Sequence, residues 1–434
     1  MLGEILARTV AHFFPDLRGW LVGLDDTRDQ NRITYPRQFL SWTGLMLFLL
    51  KMESRRQVRF ELDSPEALEN LNRLAGCHME TLAHSDTLDH FMGHVPPDQY
   101  VRLRRQMVHR LIRMKVLDKA RLFGHFLVVV DGTGQLYFRQ RHCEHCLVKT
   151  VNGKQQYYHH VLEAKLVTPE GLAISIGSEF IENSDPTASK QDCELKAFSR
   201  LARRLKKDFP QLLLCLCMDG LYANGAALSI CQENRWKYFI TFKEGSLPAV
   251  WQEYQALLEL CAQNRKVHST PEKRLQVFRW VEALGYVDDQ KRQHQFNVLE
   301  CLESNGDQTT RFVWLTDFTV GPQNAVTLGN RGARCRWTIE NEGFNIQKNG
   351  GFNLEHAYSL GTRQIKNFYV LLQIAHLILQ LIERGNLLSQ DCKRLFGSLR
   401  NLARRLAESI RNQVIAPDAT DPAAALIQIR LDSS

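Results

Sequence analysis

The sequence predicts an α/β protein: a mixed sheet flanked by helices, with a helical segment ahead of it and a β-rich insertion within it. Three observations predict this class. Short apolar runs such as Phe126–Val130 and Leu212–Met218 run straight into Asp-Gly, as buried strands do at their ends. A Lys- and Arg-rich helical stretch, residues 191 to 208, lies between those runs, giving the strand and helix order of a layered α/β core. Apolar residues at helical spacing occupy both ends of the chain.

Length and composition bound the rest. A chain of 434 residues has room for two or three domains at ~100–200 residues each. Hydrophobic residues at 44%, charged residues at 24% and only 13 prolines exclude a disordered or fibrous chain. The formal charge of +8, from 55 Lys and Arg against 47 Asp and Glu, permits a polyanionic partner without requiring one. Eleven cysteines behind a Met-Leu-Gly-Glu start, which has neither a basic nor an apolar leader region, predict a reducing, cytoplasmic setting without disulfides. The longest apolar stretches, Leu45–Leu50 and Tyr369–Ile382, fall short of the ~18–20 residues that span a bilayer and are expected as buried helices, with no membrane partner.

Along the chain, residues 1–120 read as a helical N-terminal DNA-binding domain. Ser64-Pro65-Glu66 supplies a helix cap and a proline at the first helical position. Tyr100 to Lys119 forms a basic amphipathic helix whose Arg102, Arg105 and Arg110 are candidate DNA contacts; a solvated charged face is the alternative. Residues 121–245 hold the first part of the core. The run Phe126–Val130 places Asp131 at a strand end. His160–Val167 and Leu172–Phe180 form a hairpin across Thr168-Pro169-Glu170-Gly171, and Leu212–Met218 leads into Asp219. A further strand is expected at Tyr238–Phe242. Three strands, a helix and a strand, with carboxylates ending the first and last, is the order of an RNase H-like core. Residues 246–320 read as the β-rich insertion, with strand-like runs at Gln276–Val281 and Arg311–Leu315. Residues 321–385 return to helix at 334–348 and at Ile365–Glu383, and 386–434 form a basic, weakly amphipathic helical tail.

The chemistry rests on acids. Phosphoryl transfer by two metals needs carboxylates holding two hard cations ~3.5–4 Å apart. Asp131 and Asp219 end strands expected to be neighbours, and Glu340 lies on a later helix near an arginine cluster. Each alone reads as a turn or surface acid; their joint placement carries the weight. A second cluster, His142-Cys143-Glu144-His145-Cys146 with His159 further on, could form a tetrahedral zinc site through Cys143, Cys146, His142 and His159, or be a polar loop with reduced thiols. Asp317 is expected in a turn or cap. Phe278, Trp280 and Trp314 are expected in the core of the insertion, base stacking being the alternative.

Several segments carry a more specific likeness: Val128-Val-Val-Asp131-Gly-Thr133, Tyr157-Tyr-His-His-Val-Leu-Glu-Ala-Lys165, Ser178-Glu-Phe-Ile-Glu-Asn183, Lys190-Gln-Asp-Cys-Glu-Leu-Lys196, Met218-Asp-Gly-Leu-Tyr222 and Arg336-Trp-Thr-Ile-Glu-Asn-Glu-Gly-Phe-Asn345. Through them the chain resembles the DDE transposases of bacterial insertion sequences, in particular those with a β-rich insertion before the catalytic Glu. The resemblance implies metal-dependent nicking at transposon ends and strand transfer into target DNA. It also implies Asp131, Asp219 and Glu340 as the catalytic triad on two Mg2+ (or Mn2+) ions, double-stranded DNA as partner, a homodimer on DNA, and a bacterial, nucleoid-associated location when bound. The family places a Tyr seven residues before the Glu, an Arg four before and a Lys seven after. Here Arg336 fits, while Ala333 and Gln347 stand at the other two positions, with Lys348 one residue beyond as the substitute phosphate contact. Glu342 is the rival third acid, but choosing it leaves Thr338 where the Arg belongs. The alternatives in function are an inactive relative acting as a DNA-binding repressor or architectural protein, and a nuclease of the same fold without strand transfer.

Overall fold

The computed structural model describes residues 1–183, 191–306, 308–388, 392–423 and 429–431; Lys190 of the quoted motif and parts of the expected C-terminal tail lie outside them. Among the described residues ten strands join in one mixed sheet. They are β1 (Phe126–Phe138), β2 (Leu147–Val151), β3 (Lys154–Val167), β4 (Ala173–Ile181), β5 (Leu214–Met218), β6 (Lys237–Thr241), β7 (Arg265–Ser269), β8 (Leu275–Val287), β9 (Gln293–Asn305) and β10 (Gln308–Thr316). Their order is β2-β3-β1-β5-β6-β10-β9-β8-β7, with β4 on the same edge of β3 as β2. β3 runs antiparallel to β1, whereas β5 and β6 run parallel to it. The predicted hairpin is present: Gly171, at φ +95, closes the β3–β4 turn, with its N–H donating to the Thr168 carbonyl at 3.0 Å.

Two features of the sheet correct the sequence reading. Asp131 does not end its strand, because β1 continues seven residues beyond it in antiparallel pairing with β3. The insertion does not stand apart either: after a helix at Pro248–Leu260, its four strands extend the same sheet through the antiparallel β10–β6 pair.

The sheet has two covered faces. Val128 and Val130 share a side with the helix Glu194–Asp208, whose Leu201 and Leu205 close over Gly177 of β4. Leu127 and Val129, pointing the other way as strand alternation requires, pack with Cys217, Phe239, Ala333 and Ile339. Ala333 and Ile339 belong to a helical segment, residues 325–349, in which α, 3-10 and π turns follow one another without a gap and which covers the helix expected over 334–348.

Helix Thr362–Arg384 is buried without interruption from Asn367 to Ile382. It is long and apolar enough to cross a membrane, but 94% of its most apolar window is enclosed by the protein, so it reads as the core helix that apolarity on all sides predicts. Around it pack Leu2–Phe13, Arg37–Leu49, Ser85–His94, Pro97–Arg113 and β4. Helix Leu399–Asn412 is strongly rather than weakly amphipathic, burying Leu402, Ala403, Leu406 and Ile410 against Pro65–Ala75 and Leu2–Phe13. Asn70 ties this helix down, donating to the Ile410 carbonyl at 2.9 Å and the Gln413 carbonyl at 2.8 Å. One contiguous set of buried side chains runs from Leu6 to Ile429, across the divisions expected at 120 and 386.

Candidate active site

Strand register brings the first two acids together. In the parallel pair β1–β5, Val129 stands opposite Cys217, so Asp131 and Asp219, each two residues further on, fall at matching positions on neighbouring strands. Asp131 shares the face of Val129, toward the 325–349 segment, where Arg336 meets it. The Asp131 backbone is held in the β1–β3 ladder, and its Oδ1 accepts the Gly132 N–H at 2.9 Å. Asp219 leaves β5 and caps the following 3-10 turn, its Oδ1 accepting the Leu221 N–H at 2.9 Å.

Glu340 completes the arrangement through Arg336. The Arg336 guanidinium lies 2.8 Å from Glu340 Oε1 and 3.8 Å from Asp131 Oδ2, tying the helical segment to β1. The Arg–Glu pair spans one helical turn into the π-helical stretch Ile339–Asn345, a geometry that recurs at functional sites. Burial pushes the Asp131 carboxyl up to about 6; the Arg336 charge and the Gly132 N–H oppose this, and the charges of Glu340 and Asp219 add to it. The rival acid lies elsewhere: the Glu342 side chain sits against Gly171 in the β3–β4 turn, alongside Arg384.

Other expected contacts are placed differently. Gln347 is fully buried, donating to Gln373 Oε1 and bonded to His376 Nδ1, so that position faces the core rather than a phosphate. Lys348 is held by Glu355 at 2.8 Å, and nothing links it to the three acids. The basic helix, observed as Pro97–Arg113, spends much of its charge on packing. Arg105 pairs with Asp208 at 2.8 Å and His109 bonds the Asp208 carbonyl at 2.8 Å, while Arg102 is exposed and bonds Gln99. Arg110 is half-buried. Asp317 has the expected structural role, accepting from the Tyr238 N–H at 3.2 Å and pairing with Lys237 at 3.1 Å. Phe278, Trp280 and Trp314 are core residues, at 0%, 2% and 5% exposure.

Sequence reasoning missed a buried polar network beneath the acids. Glu163, directly opposite Asp131 in the β1–β3 register, is enclosed and accepts from the hydroxyls of Ser175, Ser178 (2.6 Å) and Tyr369 (2.8 Å). Arg104, 2% exposed, donates to the same serines at 2.7 and 2.6 Å and lies 3.9 Å from Glu163. Two residues along β3, Lys165 is also enclosed, donating to Gln373 at 2.6 Å, and burial draws its ammonium down to about 8. The signal was in the quoted motif: Glu163 and Lys165 interrupt an otherwise apolar strand, and buried charges need partners. Trp337, 49% exposed with the Arg336 guanidinium 4.8 Å from its ring, is a second feature that the spacing analysis passed over.

The predicted thiol and imidazole cluster is assembled. One ligand atom from each of His142, Cys143, Cys146 and His159 lies within 4.8 Å of every other, so the group could hold a metal ion. No protein-family model matches the chain, and no curated protein matches it.

Proposed function

We propose that this chain is a DDE-type DNA transposase with an RNase H-like core, cutting DNA at the ends of a mobile element and joining the freed 3′-OH to target DNA. One observation carries the reading: Asp131 on β1 and Asp219, one residue past the end of the neighbouring parallel β5, lie near enough for the Asp219 charge to act on Asp131, and Arg336 joins Glu340 to Asp131 from the covering helical segment. The strand order β4-β3-β1-β5-β6, antiparallel on one side of β1 and parallel on the other, supports the RNase H-like assignment.

The donor set fits hard divalent cations. All three residues offer carboxylate oxygens, and the Asp131 carboxyl, raised chiefly by burial and further by the charges of Glu340 and Asp219, sits where a cation would be favoured. Asp131, Asp219 and Glu340 would hold two Mg2+ or Mn2+ ions, which when bound activate an attacking oxygen and stabilise a leaving one. The residues themselves do the rest. Arg336 orients Glu340 and Asp131 and can donate to a phosphate oxygen, and the exposed Trp337 ring can stack on an unpaired base near the cut. Glu163, directly opposite Asp131 on β3, is fixed by the hydroxyls of Ser175, Ser178 and Tyr369.

Incubating the purified chain with DNA carrying the flanks of its gene, in Mg2+, tests the reading. Wild type should nick at the element ends and join them to a target plasmid. Asp131→Asn, Asp219→Asn and Glu340→Gln should each lower both steps by roughly 10³-fold or more while retaining DNA binding. Joining that survives in Asp219→Asn would overturn the assignment, and cleavage without any joining would reassign the chain to the nucleases.

A further inference from the structure

We infer that His142, Cys143, Cys146 and His159 form a structural zinc site that staples the β1–β2 connection to β3. Four of the six distances between ligand atoms lie within about 0.4 Å of the edges of a coordination tetrahedron, and the other two lie within 4.8 Å. With Zn–S ≈ 2.3 Å and Zn–N ≈ 2.0–2.1 Å, the edges are about 3.8 Å for S···S, about 3.6 Å for S···N and about 3.3 Å for N···N. The structure has Cys143 Sγ to Cys146 Sγ at 3.4 Å, His159 Nε2 to the two sulfurs at 3.4 and 3.6 Å, and His159 Nε2 to His142 Nε2 at 3.1 Å.

Four converging protein ligands of mixed sulfur and nitrogen select zinc over magnesium or calcium and close the coordination sphere, which is the pattern of a structural rather than a catalytic site. Binding releases two thiol protons, and two thiolates with two neutral imidazoles leave the Zn2+ centre without net charge.

The location gives the site its purpose. Residues 139–146 cross from the end of β1 to the start of β2 without regular structure, so little backbone pairing holds them. His159 lies on β3 opposite Leu136, just past the irregularity in the β1–β3 ladder. A metal joining His159 to the loop therefore fixes a segment that carries exposed Arg139 and Arg141 and leads into the β2–β3 hairpin with exposed Lys149 and Lys154. Asn183 adds a second tether, donating to the Cys146 carbonyl at 3.1 Å.

Metal analysis of the full-length protein purified under reducing conditions provides the test. About one zinc per chain is expected. Exchange for Co2+ should give the intense visible bands and sulfur charge-transfer absorption of a tetrahedral thiolate site, a readout that does not depend on any variant folding. Cys143→Ser and Cys146→Ser should lose the metal, His142→Cys should retain it with an altered spectrum, and Cys193→Ser, an exposed cysteine elsewhere, should change nothing. Chelation should expose the loop at residues 139–146 to protease. Wild type without zinc and without a tetrahedral Co2+ spectrum, or with Cys143 and Cys146 recovered as a disulfide under reducing conditions, would overturn the inference.

Discussion

Asp131 is held in an environment that disfavours its own charge. Its carboxyl is raised from the ordinary carboxylate value to about 6, chiefly by burial. A group whose folded-state value lies above its unfolded one contributes stability below the unfolded value and loses that contribution as pH rises through the folded one, here between about 4 and about 6. At pH 7.5 the ionised side chain therefore weakens the fold. Asp131→Asn should be more stable than wild type at pH 7.5, by something on the order of 1–3 kcal/mol less the lost pairing with Arg336. The difference should shrink at pH 4.5, and thermal unfolding at the two pH values checks it. An equal gain at both would show that the acid is not held at a charge deficit. Such stored cost is expected where a site is organised to receive a cation.

The helical segment at 325–349, which carries Glu340 and changes between α, 3-10 and π turns, is braced by the insertion. Arg334 pairs with Glu303 of β9 at 2.9 Å, Asn330 donates to Gln276 of β8 at 2.8 Å, and Phe278 packs directly beneath Gly329. Phe278→Ala should cost about 3–5 kcal/mol of stability and lower DNA cleavage even where the protein remains folded. Denaturant unfolding and cleavage rates of the same preparation check this, and unchanged cleavage in a destabilised variant would detach the insertion from the site. These elements were unequally legible in the sequence. β5 and the first half of β1 announced themselves through unbroken apolar runs. β2 did not, because only Leu147 of its five residues is buried. The second half of β1 was hidden since Asp-Gly-Thr-Gly resembles a turn, and only the facing β3 keeps it extended. Asp219 and Glu340 stood out because a strand end and an Arg four residues before a Glu leave local marks, whereas Asp131, inside its strand, was marked only by the Asp-Gly that follows an apolar run. Arg104 and Tyr369 left none, being joined to Glu163 only by tertiary packing.

Across the whole molecule, the N-terminal helices and the sheet share a core instead of forming separable units. Arg104, from the helix expected to grip DNA, reaches between β3 and β4 to the buried Glu163, and the central helix Thr362–Arg384 packs against four of the N-terminal helices and against β4. Removing one member of such a buried pair typically costs 3–5 kcal/mol, so this helix is anchored as well as charged. Arg102 on this helix, Trp337 beside Arg336 and the basic residues beyond β1 stay exposed, and under the proposed function they are the side chains left to meet DNA. Under the proposed function, Asp131, Asp219 and Glu340 together bind the catalytic cations. Titrating Mn2+ into the full-length protein, followed by calorimetry, tests it most directly, because the thiolate and imidazole cluster is soft and competes poorly for that ion. Wild type and Glu342→Gln should bind Mn2+ alike, and Glu340→Gln should bind it at least about tenfold more weakly. Unchanged binding in Glu340→Gln, with the loss appearing instead in Glu342→Gln, would contradict it.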